Sequence, residues 1–134
     1  MRKNSLLTGV VLGVVSFAIA GCGASREVEV TGEVSAPADV RAEGAILVEL
    51  ADVLEAGEVP TSVHTVTLTA PGKFSEKVDL EGDKVRVRAI NDRDLNGKCS
   101  AGEAWAQAEA SINDDDTVDP VALRLSNAAC PSAE

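Results

Sequence analysis

Apolar and polar residues exchange places at every second position along most of this chain, a period that favours half-buried strands. In Glu27–Val34, the residues Val28, Val30 and Val34 share one face with Gly32, while Glu27, Glu29, Thr31 and Glu33 share the other. The same beat returns in Ala45–Ala51, where Ile46, Val48 and Leu50 point inward, and in His64–Ala70. It recurs from Phe74 to Leu80, in Lys84–Ile90 and in Val118–Ser126. Pro71-Gly72 and Glu81-Gly82-Asp83 punctuate the pattern as turns. Ala104–Ile112 carries two signals. Its alanine and glutamate content favours a helix, its Ala-x-Ala-x repeat favours a strand, and its strand neighbours decide for a strand.

Strands at this spacing predict an all-β fold, a single seven-stranded β-sandwich of the immunoglobulin kind over residues 27–134. Beyond position 26 the only aromatic residues are Phe74 and Trp105. A core built from valine, alanine and leucine is thin, and a staple or a bound ion would reinforce it.

The amino-terminal segment has a different logic. Arg2 and Lys3 precede an apolar run from Leu6 to Ala20 that closes on Ile19-Ala20-Gly21-Cys22. A run shorter than the ~20 residues of a bilayer span argues for a leader and against a permanent transmembrane helix. Cleavage after Ala20 by an ordinary signal peptidase would release a soluble chain beginning at Gly21. The small pair followed directly by cysteine resembles the lipobox of bacterial lipoproteins. That resemblance implies cleavage before Cys22, a diacylglyceryl thioether on its sulfur and an acylated (palmitate-type) amino terminus. The organisation is then a signal helix over 1–21, a short tether over 22–26 and the sandwich over 27–134. An extended tether of this length reaches at most ~17 Å, so the domain sits close to its membrane. Gly23 stands where an aspartate retains some lipoproteins in the inner membrane of enteric bacteria. By resemblance this points to the outer membrane, with the domain periplasmic or surface-facing.

Charge narrows the partners. The chain has 22 Asp+Glu against 12 Lys+Arg, a formal net charge of −10, and loss of the leader's two basic residues makes it more acidic still. Such a surface is repelled by phosphate backbones and anionic headgroups, which argues against nucleic acid. A protein or glycan partner and divalent cations fit better, although a merely solvated acidic surface needs no partner. Of the three cysteines, Cys22 is committed to lipid on the lipoprotein reading. Cys99 and Cys130 remain as an even pair in an oxidising compartment and are expected to bond; the alternative is two unpaired thiols.

The passage Ala70-Pro-Gly-Lys-Phe through Val85-Arg-Val-Arg-Ala89, with the strand order and size, resembles the prealbumin-like (carboxypeptidase-regulatory-like) domains of bacterial envelope proteins. A fainter likeness, through Ile46-Leu-Val-Glu-Leu-Ala-Asp-Val53, is to small lipoproteins that serve as secretion pilots.

One stretch carries chemistry. Asp92-Arg-Asp94-Leu-Asn96-Gly97-Lys98-Cys99-Ser100-Ala-Gly-Glu103 has the spacing of the twelve-residue calcium loop. Asp92, Asp94 and Asn96 offer side-chain oxygens at the first, third and fifth places. Gly97 permits the sharp bend, Lys98 offers its backbone carbonyl, Ser100 reaches the ion directly or through water, and Glu103 closes the set with two oxygens. Strand flanks, and Cys99 where EF-hands have an aliphatic residue, make this an EF-hand-type loop set between strands, without a sensor's opening motion. Calcium (Ca²⁺) is the expected cofactor, with Arg93 and Lys98 weakening it slightly. Asn96-Gly97 is also a strong hairpin signal that needs no metal. Asn113-Asp-Asp-Asp116 should lie at the far end of the sandwich, too distant to complete the site.

Catalysis lacks a motif. The single histidine, His64, shares an alternating face with Val66 and Leu68 and reads as a core-edge residue. No second histidine, nucleophile motif or phosphate loop accompanies it, so an enzyme, hydrolytic or otherwise, is the least supported class. The leading expectation is a membrane-anchored, calcium-stabilised binding or structural module. The alternative is an accessory lipoprotein for assembly or secretion of envelope components.

Overall fold

The computed structural model describes residues 24–131, so the leader, Cys22 and most of the tether lie outside the described residues. Among the described residues there is no helix, and the alternating segments form seven strands. They are β1 (Arg26–Ser35), β2 (Ile46–Val53), β3 (Thr61–Leu68), β4 (Lys73–Leu80), β5 (Lys84–Asn91), β6 (Trp105–Ser111) and β7 (Val121–Arg124). One sheet has the order β4-β1-β7, the other β3-β2-β5-β6. All pairings are antiparallel except β1 with β7. The fold is the expected all-β sandwich.

The inward positions supply the core. Val28, Val30 and Val34 of β1 meet Ile46, Val48 and Leu50 of β2 and Val85, Val87 and Ala89 of β5, with Leu80, Leu123 and Leu125 filling the rest. Alanines 106, 108 and 110 of β6 pack against this cluster, so the ambiguous repeat is a strand whose small residues bring its backbone close to the core. Phe74 is the one aromatic in the core cluster. It pairs across the ladder with Gly32, and a Cβ at position 32 would stand 2.5 Å from the Phe74 ring. Glycine is therefore required where the ring lies over β1.

β3 and β7 differ most from the periodic pattern, while β2 runs on to Val53 and β3 stops at Leu68. β3 starts at Thr61, ahead of His64, because the pairing jumps from Leu50–His64 to Ala51–Ser62 and leaves Val63 as a bulge. A bulge reverses the phase of the alternation, which hides the first turn of the strand from a period-two reading. β7 keeps only Val121–Arg124 of the expected Val118–Ser126. Pro120 lacks an N–H and interrupts the ladder, so Thr117 and Val118 make isolated bridges to Glu29 and Ile112, and Ser126 makes one to Trp105. The Trp105–Ser126 bridge, with both backbone hydrogen bonds at 3.1 Å, closes one side of the sandwich. On the open side His64 reaches across from β3 to Glu76 of β4, with Nε2 3.1 Å from Oε2. His64 is thus a half-buried residue at the core's edge.

Strand directions sort the connections onto two poles. Arg26, the 54–60 connection, the Glu81–Asp83 turn and the 113–117 turn share one pole. The 36–45 connection, the Asp92–Glu103 loop and the tail toward Cys130 share the other.

Candidate metal centre

β5 ends by turning an asparagine into the core. Asn91 continues the inward series of Val85, Val87 and Ala89, is 0% exposed, and donates from Nδ2 to the carbonyls of Glu43 (2.9 Å) and Ala45 (3.2 Å). Its backbone N–H donates to the Ala104 carbonyl at 2.8 Å and the Asp92 N–H to the Ala45 carbonyl at 3.0 Å. These bonds close the neck of the loop and fasten it to the 41–45 segment.

Within the loop, backbone donors converge on the carboxylates. Asp92 Oδ1 accepts from the Asn96 N–H (3.1 Å) and Oδ2 from the Gly97 N–H (2.9 Å). Glu103 Oε1 accepts from the N–H groups of Arg93 (2.8 Å) and Asp94 (3.3 Å), and Oε2 from that of Ser100 (2.8 Å). Asp94 Oδ2 accepts from the Ser100 hydroxyl at 2.9 Å, and the Asn96 Oδ1 accepts from the Lys98 N–H at 2.8 Å. The chain bends through positive φ at Leu95 (56°) and Gly97 (74°). For Leu95 that conformation is uncommon, and its side chain, 76% exposed, is turned outward. Because β5 ends at Asn91 and β6 begins at Trp105, Asn96-Gly97 lies in mid-loop and is not a two-residue hairpin.

The outcome is a cluster. One ligand oxygen from each of Asp92, Asp94 and Glu103 falls within 4.8 Å of the others. Asp92 (4% exposed) and Glu103 (5%) are buried, Asp94 is not. Chiefly through the Ser100 hydroxyl, against an opposing desolvation, the Asp94 carboxyl is held below its ordinary value. Its contribution to stability is therefore complete above the usual aspartate range and fades as pH falls through the lowered value. Of the expected ligand set, Asp92, Asp94, Asn96, Ser100 and Glu103 are brought into one hydrogen-bonded group. Lys98 joins it through its backbone.

Arg93, expected to oppose a cation, is turned away: Nε donates to Asn91 Oδ1 (3.3 Å) and a terminal nitrogen to the Arg41 carbonyl (3.0 Å). Cys99 and Cys130 are joined in a disulfide, and the Cys130 sulfur rests 3.1 Å from the Ser100 carbonyl oxygen. The Trp105 indole N–H donates to the carbonyls of Ala128 (3.1 Å) and Ala129 (3.0 Å), so the tail is clamped beside the loop from two directions. Asn91 and Trp105 are the supporting residues that motif reasoning passes over. The inward phase of β5 marks Asn91 as a buried polar side chain, whereas nothing local marks Trp105 as the tail's anchor.

Asp114, Asp115 and Asp116 stand at the other pole. Asp116 lies 3.7 Å from Arg26 and Asp115 accepts from the Thr117 hydroxyl, so they take no part in the cluster.

No protein-family model matches the chain, and no curated protein sequence matches it. Among solved structures the chain is similar to an alternative pilotin from the type II secretion system of Vibrio cholerae. The identity is 14%, the likeness covers 75% of this chain and 96% of that one, and the TM-score is 0.37.

Proposed function

We propose that this protein is a lipid-anchored lipoprotein of the bacterial cell envelope, whose sandwich is a calcium-braced binding or structural module without catalytic activity. The observation that carries the calcium reading is the convergence of Asp92, Asp94 and Glu103 within 4.8 Å, at the first, third and twelfth places of a calcium loop. Asp92, Asp94, Asn96, the Lys98 carbonyl, Ser100 and Glu103 would hold the ion. Bound there, calcium supplies charge neutralisation for three carboxylates gathered in a partly buried site.

The chain's own part is to bring those oxygens together. Asn91 and the Asp92 N–H fix the exit from β5, the Ala104 carbonyl ties the entry to β6, and the disulfide binds the loop to the tail. An ion at Asp92 and Glu103 thus links β5, β6 and the tail in one pole of a sandwich with few large core residues. An affinity in the extracellular class, ~10⁻⁴ to 10⁻³ M, suits a structural ion of this kind.

Anchoring gives that pole a direction. The residues that lead from Cys22 enter β1 at Arg26, at the pole opposite the loop. A chain held by lipid at Cys22 presents its metal pole away from the bilayer, toward a protein or glycan partner.

Melting the purified protein with millimolar calcium and with chelator tests the brace. Calcium should raise the melting temperature in the wild type and leave Asp92→Ala unmoved. Superimposable wild-type curves would refute it. Mass spectrometry of the mature amino terminus tests the anchor, with a triacylated Cys22 expected and an unmodified terminus contradicting it. In a cross-linked pull-down, a resident envelope partner supports the module, whereas a client in transit favours an assembly or secretion accessory.

A further inference from the structure

The outer face of the β3-β2-β5-β6 sheet is walled at both ends. Its floor includes Glu49 of β2 and Arg86, Arg88 and Ile90 of β5. Val59 and Pro60 bound one end, and Lys98 with its loop neighbours bounds the other, around a concavity of about 450 Å³. Arg86 and Ile90 occupy outward positions of β5, yet they are only 5% and 3% exposed. The face is therefore a trough with depth.

Its charge runs against the rest of the molecule. In a chain of net charge −10, the described lining of this trough holds Arg86, Arg88 and Lys98 against one carboxylate, Glu49. Because Arg86 is 5% exposed and ion-paired with Glu49, Arg88 and Lys98 are the cations open to an anion. The two guanidiniums are already held in place: Arg86 lies 3.5 Å from Glu49, and Arg88 Nε donates to Gln107 at 2.9 Å. Arg88, fixed this way, loses little side-chain freedom when an anion joins it, and a guanidinium's planar fork suits a carboxylate. Val59, 63% exposed, with Pro60, adds apolar contact beside the charges. A volume of this size accommodates a few side chains, while the acidic surround repels a long polyanion.

We infer that this trough is a binding site for a short acidic peptide segment with apolar flanks, contributed by a partner protein. The assignment stands on the trough's own residues and does not depend on whether the Asp92 loop holds calcium.

Fluorescence anisotropy of the purified mature protein tests it, with labelled Gly-Leu-Glu-Leu-Glu-Leu-Gly as probe and its Glu→Gln twin as control. The acidic probe should bind at least tenfold more tightly than the twin. Arg88→Gln and Lys98→Gln should each weaken it several-fold while Arg88→Lys, which keeps the charge, retains most of it; the melting temperature of each variant, measured alongside, separates loss of fold from loss of binding. Equal binding of probe and twin, or indifference to both substitutions, overturns the proposal. Binding that emerges only in Glu134→Gln would assign the trough to the chain's own last residues and overturn it as well.

Discussion

Two acidic turns occupy opposite poles of one sandwich, and they are built differently. Asp92–Glu103 points its carboxylates inward, buries two of them, and surrounds them with backbone N–H donors. Asn113–Thr117 spreads its aspartates outward, where Asp116 meets Arg26 and Asp115 meets Thr117. Aspartate density is the same kind of signal in both. Convergence is what differs, and it comes from spacing and from the terminal Glu103 folding back over the loop; positive φ does not separate the two turns, because Leu95 and Asp116 both have it. On the calcium reading, gathering of the oxygens by the backbone is what would separate a cation site from a solvated acidic turn.

The staple at the pole of the Asp92–Glu103 loop has the largest expected effect. The Cys99–Cys130 link spans a sequence separation of 31, so Cys99→Ser with Cys130→Ser should lower stability by about 3–4 kcal/mol on the chain-entropy model. Denaturant titration measures this, and a loss under 1 kcal/mol would mean that the tail is held by Trp105 alone. Next comes the ion. At a calcium concentration 100 times the dissociation constant the wild type should gain about 2.7 kcal/mol. Glu103→Gln should remove that gain, and Asp116→Asn should preserve it. Equal calcium response in the two variants would erase the distinction between the poles.

A third substitution probes a carboxylate that braces the other pole without a cation. Asp52 is 5% exposed and accepts from the N–H groups of Glu81 (2.7 Å) and Gly82 (3.0 Å). Asp52→Ala should cost about 2–3 kcal/mol, because hydrogen bonds to a charged group are lost and buried donors go unmet. Unlike Glu103→Gln, it should leave the calcium-induced gain intact. The smallest effect belongs to the exposed pairs. Arg26→Gln removes contacts to Asp83 (3.3 Å) and Asp116 (3.7 Å), and such surface pairs contribute roughly 0–1 kcal/mol. A larger loss would show that the 113–117 turn is more than a solvated connection.

Much of this architecture is legible in the alternation. Val28-x-Val30 and Val85-x-Val87 announce strands because a half-buried sheet repeats every second residue, and Asp-x-Asp-x-Asn-Gly announces the loop because ligand spacing is local. What escapes a linear reading is what depends on a partner strand. The bulge at Val63 shifts the phase of β3, so its first residues look out of pattern. The parallel pairing of β1 with β7, the reason for Gly32 beneath Phe74, and the clamp of Trp105 on Ala128 and Ala129 all join residues far apart in the chain. Arg93 shows the same limit within the loop: sequence places its charge beside the carboxylates, while the carbonyl of Arg41 draws it elsewhere.

Direct calcium titration by calorimetry of the mature protein, beside Glu103→Gln, tests the central claim most closely. One ion should bind per chain with a dissociation constant of ~10⁻⁴ to 10⁻³ M, and the substitution should abolish it. Absence of binding at millimolar calcium, or equal binding by the Glu103→Gln chain, would contradict it.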